Sequence, residues 1–358
     1  MMETAQPISV GSTDGVLGAH TASMSSKPTT IKGTGTPDGR EPRFALPDST
    51  PRSSKTTIVV GGVRIYFYGI EEALAASSSS PHKPEVAVLL LAHNRTRTYR
   101  VTEGIAHEVL NRYRNDSRPK KMGLIAVTMD MRNHGEREIS PESNLTWSGG
   151  NEQHAMDLLS LIDGGVHDFK LVMDYLPMYL PQFSRLHNIM GGVSLGGHVA
   201  WRMAALASPG QVAAYVMVVG CPNLTSLLLG RLGIKGSEFA GGPVDETRLD
   251  RISYDELEPL LSSQQRQRWP RALADHVGAA DKYAAEEFPR DVPMLLCNGI
   301  VDELVPARYT AAWAERRKQD TQGTQPIELN IQDNTGHSCT KEMVARIASW
   351  LGDLYEAK

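Results

Sequence analysis

The chain has 358 residues, 41% of them hydrophobic, which is enough to bury a large core and excludes a disordered or fibrous protein. Its 37 lysines and arginines against 41 aspartates and glutamates leave a formal charge of -4, so no overall positive field draws in a nucleic-acid backbone or an anionic membrane. A small-molecule partner is the expectation.

Residues 1–55 are rich in Ser, Thr, Gly and Pro and lack apolar periodicity, which predicts a disordered N-terminal tail. This stretch has neither the basic start nor the continuous apolar core of a secretory signal, and Cys221, Cys297 and Cys339 are too scattered for a disulfide scaffold or a zinc site. A cytoplasmic, reducing location is expected. No run reaches the ~18 consecutive apolar residues of a membrane span.

Residues 56–358 read as one domain. "TTIVVGGVRIYFYGI" predicts two strands joined at Gly61-Gly62. "EVAVLLLAH" is a continuous apolar run suited to a strand buried on both faces, and "TEGIAHEVLNRYR" then spaces Ile105, Val109, Leu110 and Tyr113 as a helix does. "MGLIAVTMDM" predicts the next strand. "NEQHAMDLLSLIDGGVHDFKLVMDYL" follows as a long helix that Gly164-Gly165 is expected to bend or interrupt. "RLHNIMGGV" predicts a strand running into Ser194, and "GGHVAWRMAALA" the helix after it. "VAAYVMVVG", "VPMLLCNGI" and "IELNIQD" predict three more strands, the last two separated by the helix "ARYTAAWAERRKQ", with "TKEMVARIASWLGDLY" closing the chain. Strands alternating with helices predict a mostly parallel sheet covered on both faces and entered by an antiparallel hairpin. The low-complexity stretch "ASSSSPHKP" reads as a surface loop. Residues 222–290 are too long for a simple connection and carry helical patterns, so a small helical lid is expected there.

In "NIMGGVSLGGHVA", Gly192 and Gly196 flank Ser194 as G-x-S-x-G, at the junction of a buried strand and a helix of small residues. That is the setting of a nucleophile elbow, in which a strained turn exposes the serine oxygen and the next backbone N–H, of Leu195, faces a developing oxyanion. A serine needs a base to take its proton, and the base needs an orienting carboxylate. Asp302 follows the strand "VPMLLCNGI" and His337 follows "IELNIQD", so Ser, Asp and His fall in order at successive strand ends. Glu303 and Asp333 compete with Asp302 for the carboxylate role.

With these residues the chain resembles the α/β-hydrolase superfamily over roughly Thr57 to Tyr355. "GGVSLGGH" looks like its nucleophile elbow, "NGIVDELVP" is similar to the acid loop of dienelactone-hydrolase and prolyl-oligopeptidase-like esterases, and "NTGHSCT" looks like the histidine loop. "MDMRNHGERE" resembles a turn of these folds at Asp130, Arg132, His134 and Gly135 that is usually structural. The resemblance implies an α/β-hydrolase fold and a serine hydrolase with Ser194, His337 and Asp302 as triad, acting on a small ester without metal or organic cofactor. A peptidase, amidase or thioesterase, and a non-catalytic binding protein on the same fold, are the alternatives. The family usually has His-Gly after the third strand, whereas "LAHNRTRTYR" puts Asn94 in place of the glycine. The second oxyanion N–H then falls to Arg95. The side chains of Arg95 and Arg97 are either solvated loop cations or a clamp for a substrate carboxylate.

Overall fold

The apolar runs of the sequence become strands of a single sheet. The computed structural model describes residues 29–31, 40–76, 82–239, 242–319 and 326–357. Its strands are β1 (Thr29–Ile31), β2 (Lys55–Val60), β3 (Val63–Tyr68), β4 (Glu85–Ala92), β5 (Gly123–Met129), β6 (Arg185–Val193), β7 (Val212–Val218), β8 (Met294–Gly299) and β9 (Ile327–Gln332). The helices are α1 (Ile70–Ala75), α2 (Tyr99–Asn115), α3 (His154–Tyr179), α4 (Leu195–Leu206) and α5 (Leu224–Arg231). They continue with α6 (Tyr254–Leu257), α7 (Ser263–Arg268), α8 (Arg271–Glu286), α9 (Ala307–Gln319) and α10 (Lys341–Leu354).

The nine strands lie in the order β1-β9-β8-β7-β6-β4-β5-β3-β2. Pairing is antiparallel from β2 to β3 and from β3 to β5, and parallel across the rest of the sheet. One core lies between the sheet and α3, α4, α5, α8 and α9, while α2 and α10 cover the other face. The strand interiors at β4, β6, β7 and β8 are buried from both sides, which is why they read as unbroken apolar runs. Chain order reverses where β4 pairs with β6: the chain leaves β4 toward α2 on one face and leaves β6 toward α4 on the other. The two connections diverge above paired Ala92 and Gly192 and leave a crevice at the carboxyl ends of the strands.

Three sequence expectations change. Residues 40–54, assigned to the tail, run along the body: Phe44 N–H donates to the Cys339 carbonyl at 2.7 Å and Ser53 N–H to His107 Nδ1 at 3.0 Å. Backbone hydrogen bonds and burial of Thr50 and Ser53 hold this segment where apolar periodicity is absent. Thr29–Ile31 pairs in parallel with β9, and the rest of the expected tail lies outside the described residues, as do residues 77–81 of the low-complexity loop. Helix α3 runs unbroken through Gly164 and Gly165, whose role is close packing: a Cβ on Gly164 would lie 2.5 Å from Arg132 Cδ, and one on Gly165 2.6 Å from Met131 Cε. The insertion at 222–290 is helical as expected, carrying α5 to α8. It is clamped to the body through Asp281 of α8, which accepts from Arg202 of α4 at 2.7 Å and from the backbone N–H groups of Leu224 and Thr225 at 3.1 and 2.7 Å. Leu224, Leu227, Leu228 and Leu229 are buried in the core.

Candidate active site

Ser194 occupies the turn between β6 and α4 with φ 56° and ψ -112°, a conformation that side chains other than glycine rarely adopt. Two backbone bonds hold it there: Ser194 N–H donates to the Val218 carbonyl at 2.9 Å, and Ser194 carbonyl accepts from His198 N–H at 3.0 Å. The flanking glycines answer a steric demand. A Cβ on Gly192 would sit 2.2 Å from the Gly196 carbonyl oxygen, and one on Gly196 2.0 Å from that of Ala92.

Ser194 Oγ donates to His337 Nε2 at 2.6 Å, and His337 Nδ1–H donates to Asp302 Oδ2 at 2.8 Å. Asp302 is buried, and its Oδ1 accepts the backbone N–H groups of Leu304 and Val305, each at 2.9 Å. The loops carrying the two residues are tied together by the Val301 N–H, which donates to the Thr335 carbonyl at 3.1 Å. Glu303 and Asp333 make no ion pair with His337 among the described residues, and Glu303 is exposed.

Leu195 opens α4, so its N–H has no carbonyl one turn earlier to bond. The Arg95 N–H likewise has no acceptor among the described residues. In the loop between β4 and α2, the left-handed residue is Thr96, with φ 62°, and not Asn94. His93 stiffens this loop by donating from Nδ1 to the Asn94 carbonyl at 2.8 Å while Nε2 accepts from Met131 N–H at 2.9 Å. Burial holds His93 neutral, its pKa pushed down to about 4.

A cavity of about 230 Å³ opens beside Ser194, lined by Arg95, Leu195 and His337 together with Trp147, His154 and Arg231. That volume is below the ~300–1,000 Å³ common for drug-sized ligands and suits a small substrate. Arg97 is exposed and does not line it. The insertion's contribution among the described lining residues is Arg231, at the end of the leucine-rich helix α5; the mouth is otherwise shaped by Thr146–Ser148 and Glu303–Val305. Arg231 carries no motif, although it is the lone charge closing the apolar run of α5. His154 and Trp147 carried no such mark. The Asp130 turn is structural: Asp130 accepts from the N–H groups of Tyr99 and Glu136, a Gly135 Cβ would collide with its carboxylate at 2.3 Å, and His134 bonds to the Arg132 carbonyl.

The family model described as the alpha/beta hydrolase family matches residues 106–350. The chain belongs to the alpha/beta hydrolase family. TT1662 from Thermus thermophilus is similar in fold, with a TM-score of 0.54 at 18% identity over 86% of this chain and 100% of that one. Acetyl xylan esterase 1 from a Thermoanaerobacterium species gives a TM-score of 0.49 at 16% identity over 88% of each chain. At such identities the likeness concerns the fold alone. No curated protein matches the sequence. No group of His, Cys, Asp and Glu among the described residues is arranged to hold a metal ion, and no described helix is long and apolar enough to cross a membrane.

Proposed function

We propose that this alpha/beta hydrolase cleaves small carboxylic esters by acyl transfer through Ser194. The observation that carries the reading is the hydrogen-bonded row from Ser194 through His337 to Asp302, aimed from a strained turn into a small cavity. Ser194 Oγ attacks the ester carbonyl carbon while His337 Nε2 takes its proton; Asp302 keeps the imidazole in the Nδ1–H tautomer and stabilises the imidazolium. The carbonyl oxygen, now an oxyanion, accepts from the backbone N–H groups of Leu195 and Arg95. The C–O bond to the alcohol breaks as His337 returns the proton to the leaving oxygen. Water, deprotonated by His337, then attacks the acyl-enzyme, and collapse of the second tetrahedral adduct releases the acid and regenerates Ser194.

A fluorophosphonate probe should label the wild-type protein at Ser194 and leave Ser194→Ala unlabelled. The same substitution should lower p-nitrophenyl acetate turnover by roughly 10⁴-fold or more while the melting temperature is kept, because one oxygen of packing volume is removed. Wild-type turnover in Ser194→Ala would remove the assignment. Faster cleavage of aminoacyl anilides than of matched esters would make the enzyme an amidase.

A further inference from the structure

The cavity beside Ser194 contains two guanidinium groups that form no ion pair among the described residues. Arg95 is half-buried and donates from Nη1 to the Asn144 carbonyl at 3.0 Å, with His154 Nδ1 at 3.4 Å. Arg231, also half-buried, donates from Nη2 to the Leu304 carbonyl at 2.6 Å, and its Nε is buried without an acceptor. By contrast, the buried guanidinium of Arg202 is paired with Asp281, and exposed Arg132 and half-buried Arg137 share Asp168. The nearby acid, Asp302, spends both oxygens on His337 and on two backbone N–H groups. Glu303 stands on the exposed rim, outside ion-pair distance of both arginines.

The neighbouring histidines respond to this charge. Burial and then Arg95 and Arg231 push His154 down to about 3, and burial followed by Arg231 pushes His198 to about 3, so both line the cavity as neutral rings. Two like charges in a partly desolvated cleft repel each other and focus a positive potential there, and an anion relieves both effects at once. Each guanidinium is already pinned through one nitrogen to a backbone carbonyl. The rest of each planar fork is therefore oriented before a ligand arrives.

We propose that Arg95 and Arg231 together bind a free carboxylate of the substrate, so that the preferred esters carry a second, ionised acid group a few bonds from the ester. The inference rests on the ester-hydrolase reading and names its substrate class. It is tested with p-nitrophenyl monoesters of malonate, succinate and glutarate, each against a neutral acyl group of matched size and corrected for self-hydrolysis. Acetyl esters of glycolate and 3-hydroxypropionate, against neutral alkyl acetates, place the carboxylate on the alcohol side instead. At least one arm should show kcat/KM ten times or more above its neutral partner. In Arg231→Gln that preference should fall about 10- to 100-fold, the size of one charge-assisted hydrogen bond, with Arg95→Gln acting in the same direction. Arg231→Lys, which keeps the charge and loses the fork, should fall between. Equal rates on anionic and neutral esters in every arm, or a preference untouched by Arg231→Gln, would overturn the proposal. Calorimetric titration of the wild-type and Arg231→Gln proteins with succinate needs no turnover: Arg231-dependent binding without fluorophosphonate labelling would keep the carboxylate site and remove the hydrolase reading. Labelling with neither carboxylate preference nor binding would do the reverse.

Discussion

At the scale of single residues, the site depends on side chains that are absent as much as on those present. Ser194 holds φ 56° because two glycines leave room for the turn around it. Gly196→Ala places a methyl 2.0 Å from the Ala92 carbonyl oxygen, so β4 and α4 must separate. The expected result is a loss of ester turnover of at least about 100-fold, the scale of misplacing a catalytic group by an ångström, with a lowered melting temperature. Gly278→Ala is the matched control, since nothing lies within 4 Å of its Cβ in α8; it should be neutral or stabilise by about 0.5–1 kcal/mol. The carboxylates separate in the same way. Asp302→Asn leaves the hydrogen-bond geometry but favours the wrong His337 tautomer, and turnover should fall about 10⁴-fold, whereas exposed Glu303→Gln should change it by less than roughly threefold. Steady-state rates on p-nitrophenyl acetate decide between them, and the reverse ranking would move the acid to Glu303.

At the scale of elements, the insertion between β7 and β8 is clamped to the body and brings Arg231 to the wall of the cavity. Asp281 sits fully buried with its charge facing Arg202 and two N–H groups of α5, which joins α4, α5 and α8. Burial raises its carboxyl pKa while Arg202 opposes the rise. Removing one partner leaves the other charge buried alone, so Asp281→Ala should destabilise the fold by about 3–5 kcal/mol in urea denaturation. Replacing both members with apolar residues of similar size should recover much of that loss. A single-mutant cost below about 1 kcal/mol would mean that α5 is held by its leucines alone. Because α5 ends at Arg231, the clamp also sets where that guanidinium lies. Residues 40–54 act as a strap on the opposite side, where Arg43 and Phe44 line a narrow recess with Ser194 and His337.

At the scale of the whole molecule, buried histidines make stability depend on pH, His93, His154 and His198 most of all. His93 is pushed down to about 4, and His154 and His198 to about 3, chiefly by burial. In the unfolded chain each protonates near pH 6.5. Below that value the unfolded state binds protons that the folded state refuses, so stability is full above pH 6.5 and is lost as pH falls toward 4 for His93 and toward 3 for the other two. The slope is at most about 1.4 kcal/mol per pH unit for each histidine. Urea midpoints should therefore fall between pH 6.5 and 5, before most carboxylates titrate, and His154→Gln should make the fall shallower. A flat profile across that window would show that these rings open to water before the protein unfolds.

The local code of the chain was sufficient for the eight strands from β2 to β9, the strand-turn-helix around Ser194 and the order Ser194, Asp302, His337 at strand ends. Periodicity, glycine spacing and chain order are carried by neighbours in sequence, and the backbone obeys them within a few residues. Contacts between distant segments decided the rest. The Gly164-Gly165 pair looked like a break and became a packing surface because Arg132 and Met131 arrive against it. In the loop after β4 the left-handed position is Thr96 and not Asn94, and His93 fixes that loop by bonding the Asn94 carbonyl through Nδ1 and the Met131 N–H through Nε2. The strap at 40–54 lacks periodicity because it is held by hydrogen bonds to the Asn334 and Cys339 carbonyls in the loop after β9 and to the side chains of His107 and Glu108 on α2. Arg231 enters the cavity of Ser194 through the Asp281 clamp, a meeting of three helices separated by long stretches of chain. Charge composition is blind to such a meeting, because a cation acquires its meaning from the partners that folding brings to it or withholds.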